Sequence, residues 1–165
     1  MRVSLITVCL NSESTIADTI NSVIEQDYHD IEHIVFDGGS SDKTISILKS
    51  FGNKIRLIEG KDDGIFDAMN QAIDMATGQV IGIINSDDFY ASSKVLSKVL
   101  KVFDEEGTDS VYGDLDFVYR DNVEKIFRRW KSGSFHRHKF RYGWSIPHPT
   151  FFVKKEIYKQ YGNFD

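Results

Sequence analysis

The chain has 165 residues, 41% of them hydrophobic and 27% charged, with 20 Lys and Arg against 25 Asp and Glu for a net charge of −5. That is the length of one domain and an ordinary globular composition, which excludes a disordered, collagen-like or coiled-coil chain. The single cysteine, Cys9, excludes an internal disulfide and an iron–sulfur cluster, so a reducing compartment is the default expectation.

The opening MRVSLITVCLNSEST carries a short apolar run without a small-residue cleavage site, so it reads as a strand rather than a signal peptide. No stretch approaches the roughly 20 apolar residues of a membrane span. Four apolar, β-branched runs predict strands at Val3–Leu10, Glu32–Phe36, Ile55–Ile58 and Val80–Ile84. Helical patterns lie between them, at Thr15–Gln26, Asp42–Phe51 and Ile65–Ala76. In the first, Ile16, Ala17, Ile20, Val23 and Ile24 repeat at the i, i+3, i+4 spacing of one buried face. The second follows Gly38-Gly39-Ser40-Ser41-Asp42, a turn rich in N-cap residues. The third runs into Thr77-Gly78, where glycine suits a C-cap. Strands that are apolar throughout and alternate with helices predict an α/β fold: a Rossmann-like, mostly parallel sheet with helices on both faces.

After Asp88 the pattern loosens. A helix is expected over Lys94–Phe103, a short strand at Ser110–Tyr112, and a hairpin pairing Phe117–Tyr119 with Glu124–Arg129 around Asp121-Asn122. A last helix is expected over Lys154–Tyr161. The whole of 1–165 is read as one domain, with a change of role within it after residue 114.

Seven of the cations, Lys125, Arg128, Arg129, Lys131, Arg137, Lys139 and Arg141, fall in residues 125–141, where there is no acid. An acidic body with one basic, aromatic-rich segment does not read as a nucleic-acid binder, but the segment suits something anionic. A solvated hairpin whose aromatics pack on the domain is the plainer reading. A cradle for a lipid pyrophosphate or an anionic membrane face is the functional one.

In open α/β sheets ligands bind at the carboxyl ends of the strands. Here those ends are polar: Cys9-Leu10-Asn11, Asp37, Asp62-Asp63 and Asn85-Ser86-Asp87-Asp88. Strand-end Asp residues also cap helices and make turns. Several carboxylates on one rim repel each other unless a cation or a donor-rich ligand lies between them. The turn Asn85–Asp88, directly after a buried strand, suits Mg²⁺ or Mn²⁺, hard ions that take oxygen ligands and often combine one or two carboxylates with substrate phosphates. There is no His/Cys spacing for zinc, no GKS or GKT phosphate loop, and Gly38-Gly39-Ser40 lacks the dinucleotide-binding spacing.

Four segments in order, VSLITVCLN, IEHIVFDGGSSDKT, DDGIFDAMNQAIDMATG and VIGIINSDD, resemble glycosyltransferase family 2, the nucleotide-sugar-dependent inverting enzymes of the GT-A fold. The DGIFDAMN stretch further resembles the subgroup that builds bacterial surface polysaccharides. The resemblance implies that the backbone of Val8 and the side chain of Asp37 hold a nucleobase, usually uracil, with Asn11 beside them, and that Asp63 lies in the stretch that closes over it. It puts Asn85-Ser86-Asp87 at the family's Asp-x-Asp position: Asn85 and Ser86 are on the nucleotide side and Asp87 reaches a Mg²⁺ or Mn²⁺ ion. Asn85 departs from the commonest first residue and removes one charge. Asp88 either caps the following helix or faces the acceptor, and His148, between Pro147 and Pro149, is either a structural hydrogen-bonding residue or an acceptor-side one.

The family's catalytic base is usually an Asp some ten or more residues after a Gly-x-Phe-Asp segment, here Gly162-Asn163-Phe164-Asp165. The resemblance therefore implies a base beyond Asp165, with Asp114 and Asp116 as substitutes inside the chain. The expected partners are a nucleotide sugar, in particular UDP-linked, and a glycan or lipid-linked acceptor, at a cytoplasmic location or peripheral at the inner face of the membrane. Two other classes are weighed: a nucleotide-sugar-binding module without turnover, and a sugar nucleotidyltransferase. The latter needs glycine and cations after the first strand, and Asn11-Ser12-Glu13-Ser14 offers neither.

Overall fold

A computed structural model describes all residues, Met1–Asp165. The strands β1 (Val3–Cys9), β2 (Ile31–Asp37), β3 (Arg56–Glu59) and β4 (Val80–Ile83) alternate with the helices α1 (Ile16–Ile24), α2 (Thr44–Ser50) and α3 (Ile65–Met75). Then follow α4 (Val95–Glu106), β5 (Ser110–Val111), β6 (Leu115–Tyr119), β7 (Asn122–Trp130), β8 (Phe152–Lys154) and α5 (Lys155–Tyr161). Six strands form one sheet in the order β3-β2-β1-β4-β8-β5, and β6 and β7 form a separate hairpin. The pairs β1–β2, β1–β4 and β2–β3 are parallel, whereas β8 runs antiparallel to both β4 and β5.

All seven residues of β1 are buried, as a strand covered on both faces requires. Its alternate side chains divide between two cores. Ile6 and Val8 join Ile34, Phe36, Ile81 and Ile83 under Ala68, Met69, Ala72 and Ile73 of α3. On the other face Val3 and Leu5 meet Val23 of α1 and Leu96, Leu100 and Phe103 of α4, while Cys9 and Val35 meet Ile16 and Ile20 of α1 and Leu48 of α2. The two-residue period of the strand thus sorts one continuous apolar run into two layers.

Several expected elements are revised. α3 ends at Met75 with Ala76 extended, so Gly78 is not its cap. Instead, a Cβ on Gly78 would lie 2.5 Å from the Ser4 backbone nitrogen, so the residue is small because β1 passes against it. The Gly38–Asp42 turn does not supply the N-cap of α2: that position is Lys43, and the Thr44 N–H is taken by the Asp42 carboxylate at 2.9 Å. α4 runs three residues further than expected, to Glu106, and stops at Gly107 in the left-handed region. β8 is a strand that the periodicity does not predict, because three residues carry no period. It claims Lys154, expected in the final helix, and α5 starts one residue later. The hairpin is longer than expected and turns at Arg120-Asp121.

Two buried polar residues hold the sheet in register. Glu32 accepts hydrogen bonds from Ser4 Oγ at 2.6 Å, Thr77 N at 2.8 Å and Thr77 Oγ1 at 3.0 Å, joining β2 to β1 and to the α3–β4 connection. Burial pushes its carboxyl up, but these donors and the Arg2 charge outweigh burial and leave it below the usual carboxylate range. His33 is 4% exposed on β2, with Nε2 at 3.0 Å from Thr7 Oγ1 and Nδ1 without a partner. Burial pushes its imidazole down to about 4, so it is neutral in the folded protein at physiological pH.

Candidate functional site

The sheet reverses its order of growth at β1, which has β2 on one side and β4 on the other. Such a reversal leaves a crevice at the carboxyl ends of the strands. The register brings Cys9 of β1 level with Asp37 of β2 and Glu59 of β3. The crevice is closed by hydrogen bonds between its rim segments. Asn11, the one non-glycine residue with positive φ (52°), accepts from the Ser41 N–H at 2.8 Å and donates its own N–H to Ser40 Oγ at 2.8 Å. The left-handed conformation, tolerated by Asn better than by most residues, turns the chain from β1 toward the β2 loop. Ser12 donates its N–H to Thr44 Oγ1 at 2.8 Å, and its hydroxyl lies 2.9 Å from Ser86 Oγ across the reversal point. Asn11, Asp37, Asn85 and Ser86 thus belong to one connected rim.

Asp37 is 1% exposed. Its Oδ1 accepts from the N–H groups of Gly39 and Ser40 at 2.9 and 2.8 Å, and its Oδ2 accepts from Ser40 Oγ at 2.5 Å and from Cys9 Sγ at 3.5 Å. A carboxylate has about four lone-pair sites, and here all are occupied. In this conformation Asp37 shapes the Gly38–Ser40 loop and presents no free acceptor. Burial and the Asp37 charge together push the Cys9 thiol far up, so it stays protonated and inert. Val8 is buried beside Phe36, with its side chain in the core.

Asp63 is exposed, and its contact within the rim is through its backbone N–H, donated to Asp67 at 3.1 Å. The neighbouring Asp62, read from the sequence only as part of the Asp62-Asp63 strand end, is half-buried, and its carboxylate occupies the space where a Cβ on Gly38 would lie. It also accepts the Gly64 N–H at 2.9 Å. The β3 and β2 ends therefore meet through Asp62. A glycine opposite an acidic pair was the signal that could have found it.

At the end of β4, the Asn85 amide donates to Asp88 Oδ2 at 2.8 Å and lies 3.3 Å from His148 Nε2. An aspartate at position 85 could not donate and would repel Asp88, so Asn85 is matched to its own neighbourhood. Burial pushes the Asp88 carboxyl up and Asp87 adds to it, against the Asn85 hydrogen bond. Asp88 does not cap α4: the first N–H groups there, of Val95 and Leu96, both go to Gln26 Oε1 at 3.1 Å. Asp87 is exposed and its carboxylate makes no ion pair or hydrogen bond.

No group of three or more His, Cys, Asp or Glu residues comes together to hold a metal ion. Asp87 offers one exposed carboxylate without an ion pair or hydrogen bond, a hard oxygen donor of the kind that suits Mg²⁺ or Mn²⁺.

Beyond the turn lies a cavity of about 540 Å³, walled by α4, β8 and the hairpin, with Asp87, Asp88, Asp114 and Asp116 in its lining. Asp114 accepts the Ser132 N–H through Oδ1 at 2.9 Å and keeps its second oxygen free. Asp116 is gripped by Arg129 at 2.8 and 2.9 Å, and that hydrogen bonding holds its carboxyl below the usual range. A general base needs the opposite shift, so Asp116 is unsuited to that role. His148, expected either way, is brought to the rim by its contact with Asn85.

Along 125–141, Lys125 lies over Tyr119 at 4.8 Å and Arg128 over Phe117 at 5.2 Å. Phe135, Phe140 and Trp144 pack edge to face. Phe127, Phe135 and Phe140 nevertheless stay about half exposed, and Tyr142 is 85% exposed. No helix is long and apolar enough to cross a membrane.

This fold has counterparts among known proteins. The crystal structure of TarS 1–349 from S. aureus in complex with UDP-GlcNAc superposes with a TM-score of 0.74 at 22% identity, over 97% of this chain and 47% of that one. The mannosyltransferase PcManGT from Pyrobaculum calidifontis, in complex with GDP-Man and Mn²⁺, superposes with a TM-score of 0.73 at 21% identity, over 99% and 47%. At those identities the likeness shows the fold, the mostly parallel α/β sheet expected from the sequence. A PGL/p-HBAD biosynthesis glycosyltransferase of Mycobacterium tuberculosis is 28% identical over 98% of this chain and 62% of its own length. The UDP-Glc:alpha-D-GlcNAc-diphosphoundecaprenol beta-1,3-glucosyltransferase WfgD of Escherichia coli is 29% identical over 73% and 48%. The chain thus spans less than two thirds of the length of these relatives. The sequence profile of Glycosyl transferase family 2 matches residues 4–162, nearly the whole chain, and the chain therefore belongs to that family.

Proposed function

We propose that this chain binds a nucleotide sugar, UDP-linked, and serves an inverting transfer of its sugar to a glycan or lipid-linked acceptor in surface-polysaccharide assembly. The observation that carries the reading is the rim itself: the ends of β1, β2 and β4 joined at the reversal point, with the unpaired Asp87 carboxylate beside them. In this reading residues 1–90 bind the nucleotide and 91–165 form the acceptor side of one domain. The names of the relatives and neighbours, which include UDP-Glc, UDP-GlcNAc and GDP-Man, support a nucleotide-sugar donor.

Asp87 would hold Mg²⁺ or Mn²⁺ against the diphosphate, and the ion would supply charge neutralisation to the leaving group. Asn85 and Ser86 position that turn, and Asp63 belongs to the segment next to the base. Val8 and Asp37 hold the base. Asp37 Oδ2 exchanges its long contact with Cys9, at 3.5 Å, for the uracil imide N–H. Cytosine has no such donor. By calorimetry with Mn²⁺, UDP is expected to bind at least about ten-fold tighter than CDP, the worth of one hydrogen bond to a charged group. Asp37→Asn should narrow that gap, with a melting curve checking its fold. Equal affinity for CDP or a preference for GDP would remove uracil recognition by Asp37.

The acceptor hydroxyl must lose its proton to a carboxylate on the far side of the sugar, and such a base is worth roughly 10²- to 10⁴-fold. We assign that base to the acidic stretch that the family carries after Gly-x-Phe-Asp, and Asp88, Asp114 and His148 to acceptor contacts. Asp114→Asn in the natural protein should then slow transfer by less than about ten-fold. A loss in the full general-base range would make Asp114 the base.

A binding module without turnover is the second reading. It is favoured by the pairing of two of the acids beside the rim, Asp88 with Asn85 and Asp116 with Arg129. Donor affinity without transfer by the natural protein would establish it. The basic, aromatic segment 125–141 is read as a peripheral contact with the inner, cytoplasmic face of a membrane. Sedimentation with anionic vesicles and not with neutral ones is the expected result, and equal partition between them would remove the contact.

A further inference from the structure

The cavity beside Asp87 and Asp88 has a character that the donor site does not explain. Fourteen of its 22 lining residues are hydrophobic, among them Val95 and Val99 of α4, Phe152 of β8, and Phe117 and Ile126 of the hairpin. Its volume, about 540 Å³, is within the range of small-molecule sites. Every ionisable charged residue in the wall is an acid: Asp87, Asp88, Asp114, Asp116 and Glu124, of which only Asp116 is matched by a cation, Arg129. No Lys, Arg or His lines the cavity, although the basic run 125–141 adjoins it in sequence. A pyrophosphate or other anion inside would meet Asp88, Asp114 and Glu124, none of them in an ion pair, and no lining cation, which opposes its entry. An uncharged apolar group meets neither cost and gains from leaving water.

We propose that this cavity binds an uncharged alkyl or aryl group borne by the acceptor, so that the acceptor is a neutral amphiphile whose hydroxyl lies at the Asp87–Asp88–Asp114 end. This rests on the glycosyl-transfer reading for the word acceptor; the ligand site itself does not. Any phosphate of a lipid-linked acceptor is left outside the cavity.

The test uses the neutral fluorophore N-phenyl-1-naphthylamine, titrated into the protein and then displaced. Saturable binding is expected, with displacement by octyl glucoside below its micelle-forming concentration and at least about ten-fold weaker displacement by octyl phosphate. Phenyl glucoside in a parallel arm separates a ring-binding site from a chain-binding one. Ile126→Glu, at a position 42% exposed on the hairpin and therefore tolerant of charge, should weaken probe binding about ten-fold or more. Tyr142→Ser, outside the lining, should leave it unchanged. Equal displacement by octyl phosphate, or unchanged binding in Ile126→Glu, overturns the proposal. UDP titration of the same samples separates the two readings. Probe binding without UDP binding sustains the cavity and removes the donor site, whereas UDP binding without probe binding removes the cavity.

Discussion

Replacing Asp87 by Asn should lower UDP affinity in the presence of Mn²⁺ by about 100-fold while leaving the fold intact. Loss of groups that merely support metal ligands costs roughly 10- to 100-fold, and a ligand itself belongs at or above the upper end. The side chain is exposed and unpaired, so its replacement breaks nothing inside the protein. Because the rim offers no cluster of three ligating side chains, Mn²⁺ alone should bind weakly and become tight only with UDP present. Calorimetric titration of wild type and variant, each with and without Mn²⁺, separates these terms. Asn at position 87 with undiminished Mn²⁺-dependent affinity would take Asp87 out of the role. Tight Mn²⁺ binding before nucleotide is added would show that the protein holds the ion by itself.

The second large effect is on stability. His33 stays neutral in the folded chain down to about pH 4, whereas in the unfolded chain it takes up a proton near its ordinary value of 6.5. Between those values the unfolded state binds more protons, so stability falls as pH falls. From pH 7.5 to pH 5 the loss amounts to about 2 kcal/mol at 1.36 kcal/mol per pKa unit. That window lies above the titration of ordinary carboxylates, so Glu32, whose carboxyl is lowered, contributes little to it. Its share of stability is present above its unfolded value and is lost only as pH falls through the lower folded one. Urea midpoints at the two pH values measure the slope. In His33→Gln, which cannot titrate, the slope over the window should disappear even if the variant is less stable throughout. An unchanged slope in that variant would locate the proton uptake elsewhere.

The frame is legible in the order of residues. The four apolar runs, three amphipathic helices and polar strand ends follow from short-range rules, because a strand buried on both faces must be apolar throughout and a helix must carry a stripe. Four motifs in order were enough to place the family. The period of these segments also predicted layers on both faces, and the split of β1 between two cores follows directly from it.

Contacts between residues far apart in the chain come only with the packed fold. The Ser12–Ser86 bridge spans 74 positions, and the approach of His148 to Asn85 spans 63. No local pattern encodes such distances. β8 was hidden because three residues of extended chain are stable only when β4 and β5 flank them. Gly78 was misread for the same reason: a glycine near a helix end looks like a cap until the strand that crowds it is in place. The roles of the carboxylates were likewise undecided by residue type. Asp37 turns onto its own loop, Asp116 is held by Arg129, Asp88 is held by Asn85 and Asp87 is free, because hydrogen-bond supply is set by what folds against each of them.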